Sequence, residues 1–455
     1  MTIRIRRIER SSEGGGEPVP CNNQSQFCVA ATGFTEIFGR AVRVSGDREE
    51  HLMRNVVFCL LSVVLGWPFP VSAVQAWQDA PTSVLGEESV EVSFEQVRHF
   101  IVVDVKLGGD DANARKFLFD TGINLTMVDV ALAQELKLVK LQEVPATDSS
   151  GSAGKMGIYS LSEIGLGSVK VSQVVAGAID FAVLRQQVGV PIVGILGDNF
   201  VREFCLQIDY RKHMMTFSKS NPNPSSPNQI KAPKRPPFAP IAIPITVDGE
   251  ELQGIIDTGA HDIGLPWKLL DGLQYPAAER LKSKGAMTGG LLGAGGQDLL
   301  VRIKSLQVGQ QVLERYPTFS VKNEKALLGY RFLSQFIITI DYPQDTVVLK
   351  RYDDAAFPDN VFHTGMALSK NDSGTIQVKG LWDGSAADVL GIHVGDTIER
   401  IDGKPAADFA QSELGELATD PNRPELVLEL RNAEGPKTLT LHKAWLFPRP
   451  ARVAE

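Results

Sequence analysis

Phe117-Leu118-Phe119-Asp120-Thr121-Gly122 is an apolar run that stops on a carboxylate, a hydroxyl and a glycine. The design returns as Gly254-Ile255-Ile256-Asp257-Thr258-Gly259, and the two aspartates stand 137 residues apart. A buried charge without a partner is strongly unfavourable. Two such strand ends in one chain imply that each carboxylate is the other's partner.

Working outward, the surroundings of the two copies also match. Ile195-Leu196-Gly197 follows the first, and Leu327-Leu328-Gly329 follows the second at an offset of 132 residues. Ile208-Asp209-Tyr210 and Ile340-Asp341-Tyr342 repeat in the same order. Elements recurring in order at nearly one offset mark an internal duplication. Each copy reads as mostly β. Alternation at Val90, Val92 and Phe94, then Phe100 to Val103, predicts strands, with a turn at Gly108 to Asp111. Met127 to Leu138 has helical spacing behind Asp129 as N-cap, and Leu265 to Leu270 is its counterpart. Ser149 to Gly157 and Gly285 to Gly296 are rich in small residues. Gly194 to Gly197 introduces a short helix with Asp198 as its cap. Asp209-Tyr210 and Asp341-Tyr342 lie at strand ends and read as structural.

The copies span residues 88–219 and 241–352. Between them, 220–240 holds Pro222, Pro224, Pro227, Pro233, Pro236, Pro237 and Pro240, which deny ladder hydrogen bonds and mark a linker. A second linker, 353–364, leads to a different pattern over 365–446. There Asp383 to Ala387 opens a short helix, Val394 to Ile398 and Ile401 to Pro405 give strand and turn, and Leu426 to Leu430 alternates with Thr438 to Leu441.

Two carboxylates held about 3 Å apart share a proton rather than both ionising. Such a pair both accepts a proton from water and donates one to a carbonyl or leaving nitrogen. Thr121 and Thr258 are placed to hydrogen-bond across the interface, and Gly122 and Gly259 allow close backbone approach. The strands behind, with Leu118, Phe119, Ile255 and Ile256, exclude water.

On these residues the chain resembles aspartic proteases of the retropepsin-like, pepsin-type kind, with both lobes in one chain, over roughly 90–350. The resemblance implies a mostly β fold of two tandem acid-protease-like β-barrel lobes forming a bilobal unit. It implies Asp120 and Asp257 as the catalytic pair, Thr121 and Thr258 as interlobe hydroxyls, and flaps at Ser149–Gly157 and Gly285–Gly296. The Leu-Gly elements then thread behind the catalytic loops. The pattern departs at Ile123-Asn124, where a small residue is usual, and at Ala260-His261-Asp262, where titratable groups stand beside the pair.

Residues Gly384 to Ala387, Leu390-Gly391-Ile392, Val394 to Ile398 and Ile401 to Pro405 resemble a PDZ domain of the bacterial protease-associated sort, a small α+β unit. Such domains bind extended peptides by strand addition. The resemblance puts the peptide-binding loop at Thr364 to Leu368, with Gly365, Met366, Ala367 and Leu368 as binding residues. That loop lacks the second glycine used to grip a terminal carboxylate.

Net charge is −8 and the balance is not basic, so no nucleic-acid partner is expected. The seven histidines form no His-Glu-x-x-His, cysteine pairs for zinc are absent, and no Gly-x-Ser-x-Gly elbow occurs. No metal or cofactor is expected. Gly289 to Gly296 lacks nucleotide-loop spacing.

Met53-Arg54-Asn55, the apolar run Val56 to Trp67, and Val71-Ser72-Ala73 or Val74-Gln75-Ala76 read as a signal peptide over 53–76. Export is expected, with an uncleaved membrane anchor as the alternative. Residues 1–52 then read as a disordered or mis-assigned extension. Cys21, Cys28 and Cys59 precede the mature start, which leaves Cys205 as a buried thiol and no disulfide framework. The function expected is an aspartic endopeptidase acting on peptides or unfolded proteins. Because both lobes are on one chain, it is expected to act as a monomer. The alternative is a non-catalytic peptide-binding protein that retains the fold.

Overall fold

The structure, a computed structural model, describes residues 82–108, 113–224, 226–293, 295–371 and 373–448. The leader at 53–76, the extension before it and the turn beyond Gly108 therefore lie outside the described residues.

In the first copy, strand Phe100–Leu107 pairs antiparallel with Arg115–Phe119, with Val102 opposite Leu118. Strand Gly194–Leu196 then lies parallel against Arg115–Phe119, with Leu196 opposite Phe119. The second copy repeats this. Ala242–Val247 pairs with Glu250–Ile256, and Ala326–Leu328 lies parallel to Glu250–Ile256, with Leu328 opposite Ile256. These strands are apolar on both faces because both faces are covered: Phe117, Phe119, Leu196, Ile256 and Leu328 are buried in one shared core. The fold is mostly β, as expected, with two lobes and a small third unit.

A six-stranded sheet joins the lobes. Its order is Gln229–Lys231, Thr346–Arg351, Phe336–Asp341, Cys205–Asp209, Met214–Ser218 and Ser89–Ser93. Cys205–Asp209 of the first copy pairs directly with Phe336–Asp341 of the second. Cys205 sits in this sheet as a buried free thiol, and burial pushes it up to about 11. Asp209 accepts the Lys212 N–H at 3.1 Å, and Asp341 accepts the Gln344 N–H at 3.1 Å, both turn-stabilising contacts.

Several local expectations need correction. Residues 126–129 are strand, and the helix is only Val130–Glu135. The four strand residues are all buried, and a fully buried segment carries no periodicity that separates strand from helix. Asp129 is the N-cap as expected, accepting the Ala131 N–H at 2.7 Å. Asp198 is not a cap: it is the first residue of helix Asp198–Val201, behind Gly197. Its carboxylate accepts from Arg235 at 2.6 Å instead. The proline-rich segment contains strand Gln229–Lys231, the outer strand of the interlobe sheet.

The third unit packs strands Met366–Lys370, Ile376–Trp382, Thr397–Ile401, Glu425–Asn432 and Gly435–His442 against helix Gln411–Thr419. It has its own core, including Ile376, Val378, Leu381, Leu414 and Leu428. It is also sewn to the second lobe. Ser283, Lys284 and Gly285 pair with Trp382, Leu381 and Gly380, so one sheet runs through both. Past the last strands, Phe447 is buried with Leu300 and Trp382, and Arg302 beneath it bonds Glu279 and the Pro448 carbonyl.

Candidate active site

Each Asp-Thr-Gly loop is positioned by the parallel strand behind it. The Asp120 N–H donates to the Leu196 carbonyl at 3.0 Å, and the Asp257 N–H donates to Leu328 at 3.1 Å. The strands therefore deliver both aspartates at the same height on the lobe interface.

The threonines lock the loops reciprocally. Thr121 N–H donates to Thr258 Oγ1 at 3.1 Å, and Thr258 N–H donates to Thr121 Oγ1 at 3.2 Å. The hydroxyls donate onward to carbonyls of the opposite lobe, Thr121 to Ile256 at 2.6 Å and Thr258 to Phe119 at 2.9 Å. Both threonines are fully buried, so every one of these groups depends on the other lobe for its partner.

The glycines are required by the opposite carboxylate. A Cβ on Gly122 would lie 2.3 Å from Asp257 Cγ, and one on Gly259 would lie 2.3 Å from Asp120 Oδ2. Gly122 N–H donates to Asp120 at 2.8 Å, while Gly259 and Ala260 N–H both donate to Asp257 at 2.9 Å. Each carboxyl group thus lies against the glycine of the opposite loop, which brings the two together at the lobe interface. Burial raises Asp257 well above the usual carboxylate range, and the neighbouring Asp120 charge raises it further. Burial also raises Asp120, while hydrogen bonds from Gly122, Asp257 and Gly259 oppose the shift. This arrangement favours one proton shared by the pair.

Two arms, at the positions expected for the flaps, meet across the lobes, and they differ. In the first lobe Val139–Thr147 and Ala153–Leu166 form a hairpin whose turn, Asp148 to Ser152, is the front of the expected flap. Asp148 accepts the Ser150 and Ser152 N–H groups at 2.9 and 3.1 Å. In the second lobe the span after Gly285 is a long loop between the antiparallel strands Arg280–Gly285 and Leu299–Arg302, folded around buried Asp298, which accepts Met287 and Thr288 N–H at 2.8 and 2.9 Å. The tips meet: Leu292 N–H donates to Asp148 Oδ2 at 2.6 Å, and Lys322 N–H donates to Ser149 at 3.0 Å. Leu291 and Leu292 pack on a first-lobe apolar cluster that includes Leu118, Met127, Ile195 and, at its margin, Ile123. A cavity of about 420 Å³ beside this contact is lined by Tyr159, Ile179, Leu291 and Leu292, but by neither aspartate.

His261 and Asp262 part company. Asp262 is buried and bonded to Tyr316 at 2.9 Å and Arg331 at 3.0 Å. His261 stands edge-on to His99 of the first lobe, ring centroids 5.1 Å apart. Burial, His261 and Arg98 hold His99 down to about 3, and burial lowers His261 against the pull of Asp262. His99, Asp148, Asp298 and Arg235 lie outside any sequence motif. Only their partners, brought close by the fold, give them roles.

In the third unit, Gly365 has φ +87°, and a Cβ there would fall 2.2 Å from Ser385, so glycine is required. Its N–H donates to His363 Nδ1 at 2.8 Å, and Met366 N–H donates to Thr364 Oγ1 at 3.3 Å. Met366 is buried in the unit's core, whereas Ala367 and Leu368 lie on the edge strand Met366–Lys370.

Residues 103–200 match the family model described as aspartyl protease, and residues 357–431 match the model described as PDZ domain. The first match holds Asp120-Thr121-Gly122 and the Gly194–Leu196 strand; the second Asp-Thr-Gly copy lies outside it. No curated protein matches the chain.

Proposed function

We propose that this chain, an aspartyl-protease-family domain followed by a PDZ domain, is an aspartic endopeptidase of two Asp-Thr-Gly lobes in one chain. Asp120 and Asp257 are its catalytic pair. A water held between the carboxyl groups gives its proton to the ionised Asp120 as its oxygen attacks the peptide carbonyl carbon. Protonated Asp257 gives its proton to the carbonyl oxygen, which yields a neutral diol. The diol collapses as the C–N bond breaks, the amine nitrogen takes a proton from Asp120, and a diol hydroxyl returns one to Asp257. Thr121, Thr258, Gly122 and Gly259 hold this geometry. The observation that carries the reading is the reciprocal threonine lock, which holds the two Asp-Thr-Gly loops, and with them Asp120 and Asp257, against each other. Both halves come from one chain, so the reading includes a monomer. It also includes export by the 53–76 leader and peptide recognition by the PDZ unit through Gly365, Met366, Ala367 and Leu368.

The test is cleavage of an unfolded protein substrate by the wild type, Asp120→Asn and Asp257→Asn from acidic to neutral pH. Each substitution is expected to lower the rate about 10²- to 10⁴-fold. Wild-type activity is expected to fall as pH rises and the shared proton is lost. Cleavage that survives Asp257→Asn sinks the assignment. A wild type that cleaves nothing over the whole range leaves a non-catalytic peptide-binding protein.

A further inference from the structure

The PDZ unit's groove lies between strand Met366–Lys370 and helix Gln411–Thr419. Among the described residues the strand pairs on one side only, with Ile376–Trp382. Its other edge faces the helix. An open strand edge offers unpaired N–H and C=O groups to an added strand.

Here those groups are already taken. Gln411 Nε2 donates to the Leu368 carbonyl at 3.2 Å, and Gln411 Oε1 accepts the Lys370 N–H at 2.6 Å. One carboxamide thus supplies both a donor and an acceptor to neighbouring positions of the edge, as the backbone of an added strand does. We propose that the groove is self-occluded: the Gln411 carboxamide is an internal surrogate for the ligand, and an extended peptide docks along Met366–Lys370 only by displacing it. The proposal rests on reading this unit as peptide-binding.

The surroundings specify how the groove opens. The helix start does not need Gln411, because Glu413 accepts the Ala410 N–H at 2.6 Å. Lys370 Nζ bonds the Ala407 and Phe409 carbonyls at 2.5 and 3.1 Å, which ties the strand end to the segment entering the helix. From behind, Glu416 pairs with Arg98 of the first lobe at 2.9 Å, and Ser412 lies against Gly189. A helix tied at both faces does not swing, so the moving part is the half-buried Gln411 side chain. Two N–H groups of the neighbouring loop, on Gly365 and Met366, also have internal acceptors. The ligand is therefore an extended segment read through its backbone, and a terminal carboxylate adds nothing.

The test uses the full chain carrying Asp257→Asn, so that the probe is not cut. The probe is a short fluorescein-labelled peptide of alternating Thr and Val flanked by Lys, made with a free C-terminal acid and with a C-terminal amide. Affinity is read by anisotropy, and location by protection of Met366–Lys370 from hydrogen exchange. Gln411→Ala, and Gln411→Met which keeps the side-chain length, are each expected to bind about tenfold tighter than the parent, given two competing hydrogen bonds removed. The acid and the amide are expected to bind alike. Equal binding by parent and variants, with the strand protected, overturns the occlusion and leaves peptide recognition standing. Absence of protection in every variant overturns both. A clear preference for the acid overturns recognition through the backbone alone.

Discussion

In the first lobe, the loop carrying Asp120 is followed in the chain by a long two-stranded arm. In the second, the corresponding span is a loop wrapped on Asp298, and the strand before it pairs with the PDZ unit. The Asp-Thr-Gly loops are nearly identical. The difference shows which parts of a duplicated unit remain tied together. Each glycine faces the opposite carboxylate and each threonine bonds the opposite backbone, so a change in one loop is felt in both. The arms need only meet at their tips. The second lobe was therefore free to give a strand edge to a neighbour.

This comparison is broken most severely at the glycines. Gly122→Ala and Gly259→Ala each push a methyl group into a carboxylate, and each is expected to lower kcat/KM about 10²-fold or more, since misplacement by about 1 Å has that effect. A large difference between the two, measured on one peptide substrate, would show that the loops are not interchangeable. Next come the threonines. Thr121→Val and Thr258→Val each strip an acceptor from a buried N–H of the other lobe, with an expected loss of about 1–3 kcal/mol in denaturant unfolding. Because the bonds are reciprocal, the double variant is expected to lose less than the sum.

The arms should separate where the loops do not. Asp298 is itself buried, and Asp298→Ala leaves two part-buried N–H groups of its own loop unpaired and is expected to cost about 1–3 kcal/mol. Asp148→Ala, in a half-exposed turn, is expected to cost less than half of that in the same titration. Its larger effect should be faster hydrogen exchange across the meeting tips at Ser149 and Leu292.

The smallest effect concerns His99, which has no second-lobe twin. Its folded value lies at about 3, below the ordinary histidine value, so the neutral form is favoured by folding. That stability is present above about pH 6.5 and is lost as pH falls toward the folded value. Around His99 the charged or titratable neighbours are Arg98 and His261, with Asp262 and Arg331 acting on His261. His99→Phe is expected to shrink the drop in Tm between pH 7.5 and pH 5, with little change at the upper pH. An unchanged drop would assign the acid sensitivity elsewhere.

Much of this arrangement is legible in the residues. Strand, carboxylate, threonine and glycine are adjacent in sequence because the local chemistry is local, and duplication made the signal visible. The Leu-Gly strands could be read for the same reason. The arms could not. Gly285 to Gly296 announces a loop, but nothing in it says that Asp298 gathers its N–H groups or that Ser283 to Gly285 pairs with Gly380 to Trp382. Arg235 hides among prolines, although it binds both Asp198 and Asp345. Met127 to Asp129 read as part of a helix because a strand buried on both faces has no period. Gln411 is one polar residue at a helix start, and only the neighbouring strand edge gives it meaning.

The interlobe sheet also governs the order in which the molecule can be completed. Its strands come from Ser89–Ser93, from Cys205 to Ser218, from Gln229–Lys231 and from Phe336 to Arg351. A chain emerging from its N-terminus holds Cys205–Asp209 with one edge bare until Phe336–Asp341 exists to cover it. Long-range pairing of this kind makes folding slow and leaves an exposed strand edge in the interval. The sheet that joins the two carboxylates therefore sets the time at which they first meet. Asp120 and Asp257 are not brought together until nearly the whole of both lobes has been made.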